Sequence, residues 1–157
     1  MRAGIGYDAH RLVEGRPLIV GGVVVPYRLG LAGHSDGDVA LHAIIDALLG
    51  AAALGDIGGR FSSDEPQYEN ISSLSLLAWV RDLLAVHGWQ VRNVDATIVA
   101  ERPRLAPYIQ QMRQAVGASL HVGIELISIK ATTTDGMGFA GNEEGIAAQA
   151  IALIEPV

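Results

Sequence analysis

The chain has 157 residues, half of them hydrophobic, with a net charge of −6 and no cysteine. That balance describes one globular domain over residues 1–157 and excludes a disordered chain, disulfides, thiolate zinc sites and a cysteine nucleophile. No basic run offers a nucleic-acid surface, no secretory h-region opens the chain, and the longest apolar stretch, AIIDALLGAAALG, is too short to span a bilayer, so a soluble cytoplasmic protein with no membrane partner is expected.

Residues 3–10 suit a strand, and residues 17–27, PLIVGGVVVPY, read as a hairpin of two β-branched runs around Gly21-Gly22. Ser35, Asp36 and Asp38 can each cap a helix over about residues 38–54, which Gly55 ends. Residues 58–71 form a polar loop marked by Gly and Pro. Residues 72–87 form an amphipathic helix with Leu76, Leu77, Val80, Leu83 and Leu84 on one face, capped by Ser72 or Ser73 and stopped by Gly88. VDATIVA, residues 94–100, alternates like a strand. A further helix starts near Pro107 and aligns Ile109, Met112 and Val116. ELISIKATTT, residues 125–134, is β-rich. The tail, EEGIAAQAIALIEPV, fits two descriptions: its alanines favour helix, yet Ile146, Ala148, Ala150 and Ala152 alternate. Strands interleaved with helices place the fold in the α/β or α+β class.

The chemistry gathers near the N-terminus, in GIGYDAHRL. Asp8 and His10 are two apart, which on a strand means one face, and together they can hold a metal ion. A D-x-H triplet alone describes the polar face of a half-buried strand more readily than a metal site. His42 lies on the following helix, with Asp38 and Asp46 at i−4 and i+4. Asp8, His10 and His42 match the three-ligand count of a catalytic zinc site, and Asp38 or Asp46 can accept a hydrogen bond from a ligand ring. The same residues also read as a satisfied helix histidine beside solvated acids. HSDGD, residues 34–38, precedes a helix N-terminus, which is a natural anion site. KATTTDGMGFAG, residues 130–141, puts threonines and Asp135 at a strand end, where phosphate oxygens and Mg²⁺ can be held; standing alone, that run is a strand end and a turn.

Together, GYDAHR, HSDGDVALHAIIDALLGAAALGDIG, NVDATIVAERPRL and IKATTTDGMGFAGNEEGI resemble the 2-C-methyl-D-erythritol 2,4-cyclodiphosphate synthases, and the resemblance runs the whole length. It implies a mixed sheet packed with helices on one side, in a homotrimer with active sites between subunits, and makes the tail a strand near the trimer axis. It implies Zn²⁺, or another divalent metal, on Asp8, His10 and His42, and Mg²⁺ or Mn²⁺ on Asp135. The reaction implied is attack of the 2-phosphate of a CDP-linked methylerythritol on its β-phosphorus, with release of CMP and closure of a cyclic diphosphate. His34, Asp56 and Thr133 match catalytic positions. His34 and Ser35 also match residues that contact the substrate, Asp56 and Gly58 match residues that hold its methylerythritol hydroxyls, and Ile57, Phe61, Asp64 and Glu65 match further substrate-binding positions. Ala100, Arg104, Leu105 and Ala106 match the segment that reads the cytosine. Thr132, Thr133 and Asp135, with Phe139 and Asn142, complete the substrate contacts. The residues alone also admit a zinc-dependent phosphoester hydrolase, in which water is the nucleophile, and a non-catalytic cytidine-nucleotide binding module.

The chain departs from the commonest family pattern in several places. Asp135 stands where Glu is usual, and Gly136 replaces Lys. Arg104 replaces Lys, and Ser63 stands where an Asp is common. Asn142 and Gln149 replace an Arg and a Glu near the trimer axis, so both charges of a confined pair are lost together. In members with that Arg it is thought to hold an isoprenoid diphosphate in a central cavity. Weak binding of such diphosphates is therefore expected here, and a tight complex by calorimetry would contradict it.

Overall fold

The computed structural model describes residues 1–157. Its strands are β1 (Arg2–Val13), β2 (Leu18–Val20), β3 (Val23–Val25), β4 (Gly30–Leu31), β5 (Trp89–Val99), β6 (Ile127–Thr132) and β7 (Gly145–Pro156). The helices are α1 (Val39–Ala51), α2 (Ile57–Arg60), α3 (Ser73–Val86), α4 (Ile109–Leu120) and α5 (Gly138–Gly141). Five strands form one mixed sheet in the order β4-β1-β7-β5-β6, with only β5 and β6 parallel, while β2 and β3 pair as a separate hairpin around Gly21-Gly22.

The helices cover one face of the sheet: α1 lies on β1, β7 and β5, α3 packs on α1 and β5, and α4 packs on β6 and α3. Alternation in β7 follows from this arrangement. Ile146, Ala148, Ala150, Ala152 and Ile154 are fully buried under the helices, while Gln149 and Ile151 point to the open face. The tail is thus a strand, and its small residues let α1 lie close. On that open face Ile5, Tyr7 and Ile151 are 63%, 58% and 51% exposed, and Ile5 sits directly opposite Ile151. No helix is long and apolar enough to cross a membrane.

Two glycines in β1 set the position of α1. A Cβ on Gly4 would come within 1.9 Å of the Ala47 carbonyl oxygen, and one on Gly6 within 1.9 Å of the Ala43 carbonyl oxygen. Strand and helix therefore touch backbone to backbone. Two residues of strand advance about 6.6 Å and one helical turn about 5.4 Å, so the next strand step after Gly6 brings Asp8 beside the first turn of α1, where His42 lies.

Asp38 caps α1, accepting from the Leu41 N–H at 3.0 Å, and it also accepts from Gly21 and Gly22 at 2.9 and 2.6 Å. One fully buried carboxylate thus pins the hairpin turn to the helix start. Burial pushes its pKa up to about 6, with Asp36 adding to the shift and the three N–H donors opposing it. The structure differs from the sequence expectations at element ends. α1 stops at Ala51 rather than residue 54, because the chain turns at Ala53 (φ 59°) before Gly55. Ser72 occupies the N-cap of α3 without a side-chain bond, and the Ser73 hydroxyl is directed to Asp36 instead. β5 begins five residues early, at Trp89, because it pairs with β7 along its whole length.

Candidate metal centre and flanking clefts

β1 and α1 bring Asp8, His10 and His42 together, with one ligand atom of each within 4.8 Å of the others. Asp8 Oδ2 is 2.7 Å from His10 Nε2 and 3.0 Å from His42 Nδ1, and the two ring nitrogens are 3.1 Å apart. The far nitrogen of each ring decides what the near one offers. His10 Nδ1 lies 2.6 Å from the Ala32 carbonyl, which can only accept, so Nδ1 carries the proton and Nε2 presents a lone pair. His42 Nε2 lies 3.0 Å from Ser73 Oγ and 3.1 Å from Ser35 Oγ. Ser73 Oγ donates its own proton to Asp36 Oδ1 at 2.5 Å, so toward His42 it accepts, and Nδ1 of His42 is left with a lone pair. Two imidazole lone pairs and a carboxylate then face one small space. Such a group is repulsive unless a cation enters, and its N₂O donor set fits a divalent metal with an open coordination position.

The titration behaviour agrees. Burial opposes ionisation of Asp8, but the hydrogen bonds and charges of His10 and His42 outweigh it and hold the carboxyl well below the usual range. Burial lowers the proton affinity of His10, and Asp8 more than reverses this, so its pKa lies above the ordinary 6.5. Asp38 and Asp46 do not touch the rings, contrary to the spacing argument. Asp38 is taken up by the hairpin, and Asp46 accepts from the Ile57 N–H at 2.7 Å, which anchors the start of α2. The partners that orient the rings are Ala32, Ser35 and Ser73. Ser73 is 31 residues from His42 in sequence, and no local pattern links the two.

The triad opens into a cleft of about 300 Å³. His34, Ser35, Ile57, Gly58 and Phe61 line it, and so do Ser62, Ser63, Tyr68, Ile71 and Leu76; of these five, the sequence drew attention only to Ser63, as a departure from the family pattern, and to Leu76, as part of an apolar helix face. Asp56 does not line it but caps α2, whose Ile57 and Gly58 do, accepting from the Gly59 N–H at 2.7 Å. His34 Nε2 is 3.0 Å from the Glu65 carbonyl oxygen, which ties the 58–71 loop to the cleft, while Asp64 and Glu65 themselves are exposed.

A second cleft, of about 250 Å³, collects Ala100, Arg104, Leu105, Ala106, Thr132 and Thr133 with Glu101, Pro103 and Ala131. Asp135 follows it at φ 53°, its backbone N–H directed to Thr133 Oγ1 at 3.2 Å. Phe139 lines a third hollow with His10, Arg11 and Glu144, whereas exposed Asn142 ends α5. Pairing registers put the first two clefts at the same end of the sheet: Asp8 is level with Ala148, Ile98 and Ala131. They are on opposite edges, three strand spacings or about 14 Å apart. Within one chain, the residues of the sequence-based site therefore form two separate groups.

A mixed sheet with helices on one face, carrying an Asp-His-His cluster able to hold a metal ion beside a cleft, defines a class of α/β domain whose family the comparisons give. The model of the YgbB family matches residues 1–155, and the chain belongs to that family. It is 62% identical over 151 residues to the 2-C-methyl-D-erythritol 2,4-cyclodiphosphate synthase of Agathobacter rectalis, covering 96% of this chain and 85% of that protein. A solved structure of a synthase of the same name, in a CDP-bound form, superposes with a TM-score of 0.90 at 32% identity, covering 98% of this chain and all of that one. The bifunctional IspDF of Campylobacter jejuni superposes with a TM-score of 0.96 at 36% identity, covering 99% of this chain and 42% of that longer chain.

Proposed function

We infer that the Asp8–His10–His42 centre and its cleft serve the reaction of this family. The chain is a lyase that converts 4-diphosphocytidyl-2-C-methyl-D-erythritol 2-phosphate to 2-C-methyl-D-erythritol 2,4-cyclodiphosphate and CMP. The observation that carries the site assignment is the convergence of three potential metal-donor atoms, from Asp8, His10 and His42, within 4.8 Å of one another on the wall of the cleft.

In the reaction, a 2-phosphate oxygen bonds to the β-phosphorus, the bond from that phosphorus to the bridging oxygen breaks, and CMP departs with the electron pair. A phosphate monoester has a second pKa of about 6, so the nucleophile is largely dianionic at neutral pH and needs no strong base. What the protein supplies is folding of the substrate and compensation of charge. Asp8, His10 and His42 would hold Zn²⁺ or a similar ion, and Asp135 would hold Mg²⁺ or Mn²⁺. Bound there, such cations withdraw charge from phosphate oxygens. His34 and Ser35 contact the substrate in the cleft beside the metal centre. Asp56, Ile57, Gly58 and Phe61 hold the erythritol, with Asp64 and Glu65 in the adjoining loop. The backbone of Ala100, Arg104, Leu105 and Ala106 takes the cytosine, while Thr132 and Thr133 hold the diphosphate; Phe139 and Asn142 complete the contacts.

The two clefts are about 14 Å apart on opposite sheet edges. A homotrimer would bring the second cleft of one chain to the metal centre of its neighbour. The half-exposed apolar residues Ile5, Tyr7 and Ile151 support burial of the open sheet face in that assembly. A cytoplasmic location belongs to the same reading.

The test is a phosphorus NMR spectrum of the protein with Mg²⁺ and this substrate. The expected products are CMP and the coupled resonance pair of a cyclic diphosphate. CMP with an open-chain diphosphate would mean that water attacks instead, and the chain would be a hydrolase.

A further inference from the structure

We propose that Ser73 and Asp36 are positioning residues of the metal centre, acting together to hold His42 in the one tautomer that can bind a metal through Nδ1. The proposal rests on the metal-site reading above. A neutral imidazole carries its proton on either nitrogen, and a hydroxyl neighbour does not choose between them, because a hydroxyl can donate or accept. Ser35 is such a neighbour. Its Oγ is 3.1 Å from His42 Nε2, and its only other partner is the Gly37 N–H at 3.3 Å, so its own proton is free to point at the ring. Ser73 differs because its proton is committed. The Asp36 carboxylate takes it at 2.5 Å and is itself held by the Ser73 N–H at 2.8 Å and the Asp38 N–H at 3.0 Å. Ser73 Oγ therefore faces Nε2 as an acceptor, and the proton of His42 is kept on the nitrogen pointing away from Asp8.

The pair is also well enclosed. Ser73 is fully buried and His42 is 7% exposed, so water does not readily replace the hydroxyl. Without Ser73, the remaining hydroxyl of Ser35 can donate to Nε2, and the proton then moves to Nδ1 and blocks the metal position. The device further links the metal to α3. Ser73 is the first residue of that helix, and Asp36 binds both its backbone and its side chain, so correct docking of α3 is a condition for a metal-ready His42.

The experiment is a competition titration of Zn²⁺ against a chromogenic chelator, with the parent protein and the Ser73→Ala, Ser73→Thr and Ser35→Ala variants. Ser73→Ala is expected to weaken zinc binding about 10- to 100-fold, the usual effect of removing a hydrogen-bond partner from a ligand histidine. Ser73→Thr, which keeps the hydroxyl, should restore it, and Ser35→Ala, which leaves the committed acceptor in place, should lose less zinc affinity than Ser73→Ala. Unchanged affinity in a folded Ser73→Ala protein would overturn the proposal. If that variant does not fold, the ring-nitrogen NMR spectrum of the zinc-loaded parent decides: Nδ1 metal-bound with Nε2 protonated supports it, and binding through Nε2 overturns it. Failure of the metal reading itself looks different, because then His42→Ala would bind zinc as tightly as the parent.

Discussion

His42 shows how one side chain combines packing with chemistry. It sits in the first turn of a helix that is otherwise apolar except for Asp46, yet its ring reaches Asp8 on one side and two serines on the other. His42→Ala removes one of three metal donors without opening the core, so zinc content and turnover should both fall to near background while circular dichroism and thermal unfolding stay close to the parent. Zinc retained at full stoichiometry would refute the assignment. Protons compete for the same donors. His10 binds its proton more tightly than an ordinary histidine, so metal affinity begins to fall above pH 6.5 as the pH is lowered. In the metal-free protein the trend runs the other way. The Asp8 contribution is complete above 3.8 and lost at lower pH, while the His10 contribution is complete below 6.5 and lost as the pH rises through its raised value. The thermal stabilisation produced by added zinc should therefore grow as the pH rises through 6.5, and a constant increment would argue against these donors.

Among the elements, the contact between β1 and α1 carries the site. Gly4 and Gly6 let strand and helix backbones meet, and that register delivers Asp8 and His10 to His42. A Cβ at Gly6 would strike the Ala43 carbonyl, which cannot rotate away as a side chain can. Gly6→Ala should destabilise the fold by about 3 kcal/mol in denaturant unfolding and weaken zinc binding as well, because the strand must back off from the helix. Lost stability with unaltered zinc affinity would show that the register tolerates the shift. The same contact explains the alanines of α1 and β7. They looked like helix formers in the tail, but in β7 they are the small side chains that a closely packed helix requires.

For the molecule as a whole, the open face of the sheet is the unfinished surface. Ile5 and Ile151 lie opposite each other across β1 and β7, and neighbouring Tyr7 pairs with Gln149. A charge placed there by Ile151→Asp should split the proposed trimer into monomers by sedimentation. Each monomer keeps its own Asp8, His10 and His42, so zinc should still bind, whereas turnover should collapse because in the proposed assembly the segment of residues 100–106 comes from another chain. Monomers with full activity would mean that one chain completes the site.

The sequence by itself carried the family motifs, the metal triad and most element types, because strand and helix periods and ligand spacing are local properties. It misread what depends on neighbours. Asp38 and Asp46, spaced correctly on the helix, were drawn to backbone N–H groups of the hairpin and of α2, since a buried carboxylate goes where unsatisfied donors are. The tail was not misread: its residues leave helix and strand both open, and the resemblance favours strand. It is a strand because β1 and β5 offered it two free edges. Only the tertiary structure revealed the hydrogen-bonded chain from Asp36 through Ser73 to His42, and that the cleft beside Asp8 and the threonine cleft lie on opposite sides of one sheet. Hydrogen bonds between residues 37 and 31 positions apart, and the order of strands in a sheet, are decided by how the whole chain buries its apolar faces, which no stretch of sequence encodes alone.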